Sequence, residues 1–235
     1  MKRQIFVLML AGTAAITFAQ APAGGGGGGR GGGRGGGRGP APQPATLVLK
    51  ETWKNGEGNV PVTQDAVVNP ALKITLYGTG KEDFGITAEG GVPHIWTGLC
   101  ATACALTLSD KDNLLDLTGK AKIRWFTKVS GFHEVRPVLK LADGTLLVGD
   151  HVDSSLVDYK ESEFFLSEVH WMKFDGPTVQ TKGTVLDKVD LSKVDGVGFA
   201  DLSPGSGHGN GGYSDVGWIE VYGKTVPRDA TTAAK

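Results

Sequence analysis

The residues best suited to chemistry lie between Ala121 and His151, where Trp125, Arg136, Lys140 and His151 recur among short apolar segments. An indole offers a broad apolar face to the C–H face of a sugar. Arginine and lysine donate hydrogen bonds to hydroxyls or to a uronate carboxylate. A second grouping is the glycine-rich stretch from Pro204 to Asp215, which carries His208, Asn210 and Tyr213. Loops of this kind on a rigid scaffold often touch ligand. It lacks the Lys-Ser/Thr ending and following helix of a phosphate-binding loop. His208 as a base would need an orienting carboxylate such as Asp201 or Asp215. Asp150, Asp153, Glu134 and Glu168 could in principle serve a glycosidase, but no spacing selects a pair. No Gly-x-Ser-x-Gly elbow is present for an esterase.

Turn chemistry places the first grouping in register. A two-residue turn at Ser130-Gly131 would set Trp125 opposite Arg136 and Ile123 opposite Val138. A second at Asp143-Gly144 would set Lys140 opposite Leu147, Val138 opposite Gly149 and Arg136 opposite His151. Cross-strand partners share a face of a sheet. The core face would then carry Phe126, Val135, Leu139, Leu141, Leu146 and Val148. The outward face would carry Ile123, Trp125, Arg136, Val138, Lys140, Leu147 and His151. Pro137 is awkward in such a ladder because it has no N–H to donate.

The elements that must hold these residues are short and β-rich. Candidate strands span 47–53, 72–77, 84–87, 94–97, 105–108, 122–129, 133–141, 146–149, 163–166, 169–174, 179–185, 196–200 and 216–222. Between them recur Asn55-Gly56, Glu89-Gly90-Gly91, Asp175-Gly176-Pro177 and Asp195-Gly196. Many short strands so spaced predict an all-β sandwich or barrel rather than alternating β and α units.

The chain is 235 residues long, and its first 45 differ in kind from the rest. Met1-Lys2-Arg3 and the mostly apolar run Ile5 to Phe18 have the build of a secretory signal peptide spanning 1–19, with a second cleavage point after Ala21. Residues 20–45 form a Gly/Arg/Pro-rich linker, in which Gly24 to Gly39 places an arginine at every fourth position. Glycine at that density cannot recover its backbone entropy by burial. A single sandwich domain is expected over 46–226, with a tail at 227–235. All 25 acids lie after residue 45 against 19 of the 24 Lys and Arg, so the domain carries 19 − 25 = −6. That balance argues against a nucleic-acid partner, and no apolar run outside the leader is long enough to span a membrane. Export places the only two cysteines, Cys100 and Cys104, in an oxidising compartment, where a disulfide is expected.

Three segments resemble strands of the galactose-binding-like jelly roll found in carbohydrate-binding modules of exported bacterial proteins: Asp116 to Trp125 (DLTGKAKIRW), Val189 to Phe199 (VDLSKVDGVGF) and Asp215 to Gly223 (DVGWIEVYG). The resemblance implies a last strand lying beside the first, glycan binding more often than catalysis, and in many members a structural calcium. Glu51, Glu57, Asp215 and Glu220 would then be its oxygen ligands. The sequence thus points to an exported, non-catalytic domain that binds a carbohydrate or a cell-surface polysaccharide. A glycan-active hydrolase or lyase and a protein-recognising adhesion module stand as alternatives.

Overall fold

The computed structural model describes residues 44–54, 60–155, 158–203 and 212–228. In chain order the strands are β1 Thr46–Glu51, β2 Val60–Pro61, β3 Leu72–Tyr77, β4 Gly85–Glu89, β5 Val92–Trp96, β6 Cys104–Asp110, β7 Asn113–Asp116, β8 Lys122–Gly131, β9 Val135–Leu141, β10 Leu146–Gly149, β11 Lys160–Phe165, β12 Trp171–Asp175, β13 Gln180–Val185, β14 Val194–Asp201 and β15 Gly212–Pro227. The described residues hold no α-helix, only three 3-10 turns.

The strands form a jelly-roll sandwich of two antiparallel sheets. Sheet A runs β2-β4-β5-β15-β8-β11, with β1 also paired to β15, so the last strand does lie beside the first. Sheet B runs β3-β6-β14-β9-β10-β12-β13. Both inner faces feed one core. Ile123, Trp125, Val216 and Ile219 from sheet A meet Leu106, Leu139, Leu147 and Phe199 from sheet B.

Two expected hairpins are corrected. β8 and β9 do not pair, because the chain crosses from sheet A to sheet B after Gly131. Trp125 faces Ser162 and Ile219, while Arg136 faces Ala200. The β9–β10 turn is real but holds three residues, Ala142 to Gly144. Leu141 N–H donates to Thr145 at 2.9 Å, and Gly144 takes the left-handed conformation at φ 88°. Such a turn adds one residue to the loop, so Lys140 faces Leu146 and Val138 faces Val148. A one-residue change of register moves side chains to the other face. Leu147 therefore joins the core and Val148 leaves it for the outer side of sheet B.

Along β8 the alternation is strict. Ile123, Trp125, Thr127 and Val129 are fully buried, while Lys122, Arg124, Phe126 and Lys128 remain partly exposed. The charges at 122, 124 and 128 decide this parity, since an unpaired buried cation costs far more than a half-exposed phenylalanine.

Candidate functional site

The outer face of sheet A gathers aromatic and charged side chains from β5, β8, β15 and the approach to β11. Its layout depends on a bulge in β15. Val216 pairs with Thr127 and Trp218 with Phe126, leaving Gly217 as the extra residue. A Cβ at Gly217 would lie 3.2 Å from the Phe126 ring and 3.1 Å from Val92, so the bulge closes tightly around a bare Cα. Because of that extra residue, Tyr213, Asp215, Trp218, Glu220 and Tyr222 all share the outward face with Ser130, Lys128, Phe126, Arg124 and Lys122, their partners on β8.

Three rings stack across this face. Phe126 lies 4.8 Å from Tyr159, at 19° between planes, and 5.8 Å from Trp218, at 9°. Cations edge the row: Arg124 stands 5.7 Å over Trp218, Lys128 5.8 Å over Tyr159 and 5.9 Å over Tyr213, and Lys122 5.0 Å over Tyr222. From Lys122 to Lys128 the strip runs about 20 Å along the strand, the length of a short oligosaccharide.

The charges are balanced. Lys50 and Arg124 contact Glu220 at 2.8 and 3.2 Å, Arg124 also reaches Glu161 at 2.9 Å, Lys122 holds Glu163 at 2.9 Å, and Lys128 holds Glu89 at 2.6 Å. Four cations thus meet four carboxylates. Burial would raise the Glu220 carboxyl, but hydrogen bonds from Lys50 and Tyr222 hold it below its ordinary value. The Glu89 hydrogen bond raises the Lys128 ammonium in turn.

At the β5 side of the strip lies a buried polar group. Asp215 and His94 are 2% and 3% exposed, with His94 Nε2 3.6 Å from Asp215 Oδ1. His94 Nδ1–H donates to the Val92 carbonyl at 2.9 Å, and burial lowers the imidazole pKa, which leaves Nε2 with a lone pair. Asp215 Oδ1 and the Tyr159 hydroxyl are both buried without a hydrogen-bond partner. Burial pushes the Asp215 carboxyl up to about 7, against the pull of Lys128.

The residues expected to bind from sequence are distributed otherwise. Trp125 is fully buried, and its Nε1–H donates to Asp153 at 2.8 Å. Asp153 also accepts from Thr127 at 2.7 Å and from Ser162 at 2.9 Å. Trp125 is therefore a core residue, not a platform. His151 stacks on Phe164 at 3.7 Å and points Nε2 to Asp153 at 3.4 Å, beside Trp125 and not on an open face. Arg136 and Lys140 occupy the outer side of sheet B, paired with Glu134 and Asp195, each at 2.8 Å. Tyr213 does lie on the sheet A strip, whereas His208 and Asn210 fall outside the described residues.

The expected calcium ligands are not brought together. Glu51 is spent on the backbone, accepting from the N–H groups of Thr52, Trp53, Val68 and Asn69 at 3.1, 2.9, 2.7 and 3.0 Å. Glu220 is taken by cations, Asp215 is buried beside His94, and Glu57 lies outside the described residues. Among the described residues no group of three acidic, histidine or cysteine side chains could hold a metal. Cys100 and Cys104 stand as buried thiols in hydrogen-bonding contact, not as a disulfide, and burial raises the Cys104 pKa. Of the acids open to a glycosidase, Asp150 holds His170 at 2.8 Å, and Asp153 and Glu134 are engaged as above.

Sequence reading missed Phe126, Trp218, Arg124, Lys122, Lys128, Tyr159 and His94. The signal for Phe126, Arg124, Lys122 and Lys128 was the placement of charge at alternate positions of β8.

No protein-family model matches the chain, and no curated protein does. Among solved structures, a variant of a family 29 carbohydrate-binding module complexed with cellulohexaose is similar over 77% of this chain and 93% of its own, at 14% identity and a TM-score of 0.43. The family 11 carbohydrate-binding module of the cellulosomal cellulase Lic26A-Cel5E of Clostridium thermocellum covers 75% and 89%, at 17% and 0.41. The carbohydrate recognition domain of Emp47p covers 76% and 97%, at 10% and 0.36. Identities this low say nothing about which residues bind.

Proposed function

We propose that this chain is an exported, non-catalytic carbohydrate-binding domain whose binding face is the outer surface of sheet A. The observation that carries the reading is the stacked pair Phe126–Trp218, edged by Arg124, Lys122 and Lys128 on a continuous ladder of strands. Aromatic side chains supply apolar area, and paired carboxylates and cations supply acceptors and donors for hydroxyls. With four cations balanced by four carboxylates, the strip suits a neutral glycan better than a polyuronate. Export rests on the basic start and apolar run of the leader. Among the described residues no helix is long and apolar enough to cross a membrane.

Affinity electrophoresis through gels containing hydroxyethylcellulose, xyloglucan, galactomannan, mixed-linkage β-glucan or polygalacturonate tests the reading. At least one neutral polymer should retard the protein, and Trp218→Ala should weaken that retention by at least about tenfold, the loss of roughly 1.4 kcal/mol expected for truncating an aromatic anchor. Its circular dichroism should stay that of the wild type. Retention unchanged in Trp218→Ala, or confined to polygalacturonate, would remove sheet A as the neutral-glycan face.

A further inference from the structure

We propose that Tyr159 occupies a pyranose subsite on the Phe126 ring, and that Asp215 and His94 are the acceptors built for the hydroxyls of the sugar that displaces it. The inference rests on the glycan reading of this face and adds to it a specific, covered position.

The Phe126 ring has two stacked neighbours. Trp218 stacks at 5.8 Å between centroids and Tyr159 more closely, at 4.8 Å. Trp218 belongs to β15, where its neighbours are fixed by the ladder with β8. Tyr159 is held differently. It precedes the first ladder pair of β11, Lys160 with Thr127, so its backbone takes no part in that ladder. Its ring rests on Phe126, meets the edge of His94 at 5.7 Å and lies under the Lys128 ammonium. A six-membered ring thus sits where the C–H face of a sugar would pack.

The hydrogen bonding beneath that ring is incomplete in a way that a sugar would mend. Asp215 Oδ1 and His94 Nε2 are two acceptors 3.6 Å apart. The imidazole proton is committed to the Val92 carbonyl, so neither can donate to the other once Asp215 is ionised. The nearest cation does not serve them, because Lys128 gives its ammonium to both Glu89 oxygens, at 2.8 and 2.6 Å. Tyr159 has a single proton and gives it to no one, though its hydroxyl is buried. Burial raises that phenol's pKa, and the Asp215 charge adds to the effect. Buried polar atoms left unpaired are costly. Here two, the Asp215 oxygen and the phenol, are orphaned together. A pyranose stacked on Phe126 carries several hydroxyl donors on a ring of similar size. It would satisfy both acceptors and release the Tyr159 hydroxyl to water.

The test uses the full chain and the neutral polymers named above. Tyr159→Ala uncovers the subsite and should bind the retained polymer more tightly than wild type, by about fivefold or more (roughly 1 kcal/mol). Adding Asp215→Asn in that background should return the affinity to near the wild-type value. Tyr159→Phe keeps the stack and removes the orphaned hydroxyl; it should melt higher than wild type and bind more weakly. Tyr159→Ala weakening retention as Trp218→Ala does would overturn the proposal by making Tyr159 part of the platform. A gain that survives Asp215→Asn would also overturn it, and so would a Tyr159→Phe protein that melts lower and binds more tightly. Trp218→Ala losing retention while Tyr159→Ala changes nothing would sink this inference and leave the glycan reading standing. No retention of wild type or Tyr159→Ala on any polymer would sink both.

Discussion

Replacing Asp215 with asparagine should change how the protein's stability depends on pH, and the size of the change follows from the site. Burial against His94 and beneath Tyr159 raises the carboxyl from 3.8 to about 7 in the folded chain, with Lys128 favouring and Glu89 opposing the charged form. A raised pKa means that the folded state binds this proton more tightly than the unfolded one. The stabilisation is therefore complete below pH 3.8, is lost as pH rises toward 7, and falls no further above that. Each pH unit in the window is worth about 1.36 kcal/mol, so between pH 5 and pH 8 the wild type should lose about 2–3 kcal/mol from this group. Asparagine has no proton to lose. For a domain of this size, the Asp215→Asn melting temperature should gain on the wild type by roughly 5–10 °C across that interval. Buried His94 titrates in the opposite sense, losing stability as pH falls below 6.5, and because it lies 3.6 Å from Asp215 the comparison is repeated with His94→Gln in both proteins to remove that contribution. Thermal or urea unfolding of the two proteins at half-unit steps from pH 5 to pH 8 measures the effect. Parallel curves would refute the reasoning, because they would mean that the Asp215 carboxyl is as well solvated folded as unfolded.

Two further substitutions probe the frame beneath the site. Trp125→Ala should destabilise by about 3–5 kcal/mol in urea unfolding, since it empties a core position and leaves the buried Asp153 one donor short. An unchanged midpoint would mean that the indole is not core. Glu51→Gln keeps the shape but replaces a carboxylate that accepts four backbone N–H groups, one of its oxygens becoming a donor; about 2 kcal/mol or more should be lost. Calcium added to wild type should not mimic or reverse that loss.

Sequence patterns carried the fold a long way because turn chemistry and short β-branched runs are local signals. The strands 72–77 and 146–149 were legible to the residue, and the return of the last strand beside the first followed from the jelly-roll resemblance. What local signals could not carry was the sheet to which each strand belongs. Ser130-Gly131 reads as a tight turn, yet the chain there passes between sheets, and nothing nearby in sequence distinguishes the two outcomes. Asp143-Gly144 failed by a single residue, since the same dipeptide serves a two-residue turn and the end of a three-residue one. The candidate face was partly legible. The cations at 122, 124 and 128 fix the outward parity of β8, and giving them more weight than the single indole at 125 would have turned Phe126 outward. Tyr159 and His94 were beyond such reasoning, because each meets Phe126 or Asp215 only through tertiary packing.

The glycine at position 217 gives this face an unusual vulnerability. The outward positions of β15 change from odd to even across this one residue, and its place outside the ladder is what lets both halves face the same way. Drawing residue 217 into the regular ladder would exchange inside for outside along the terminal half of the strand, sending Trp218, Glu220 and Tyr222 toward the core and Ile219 and Val221 into water, whereas deleting it would close the bulge and keep every side chain on its present face.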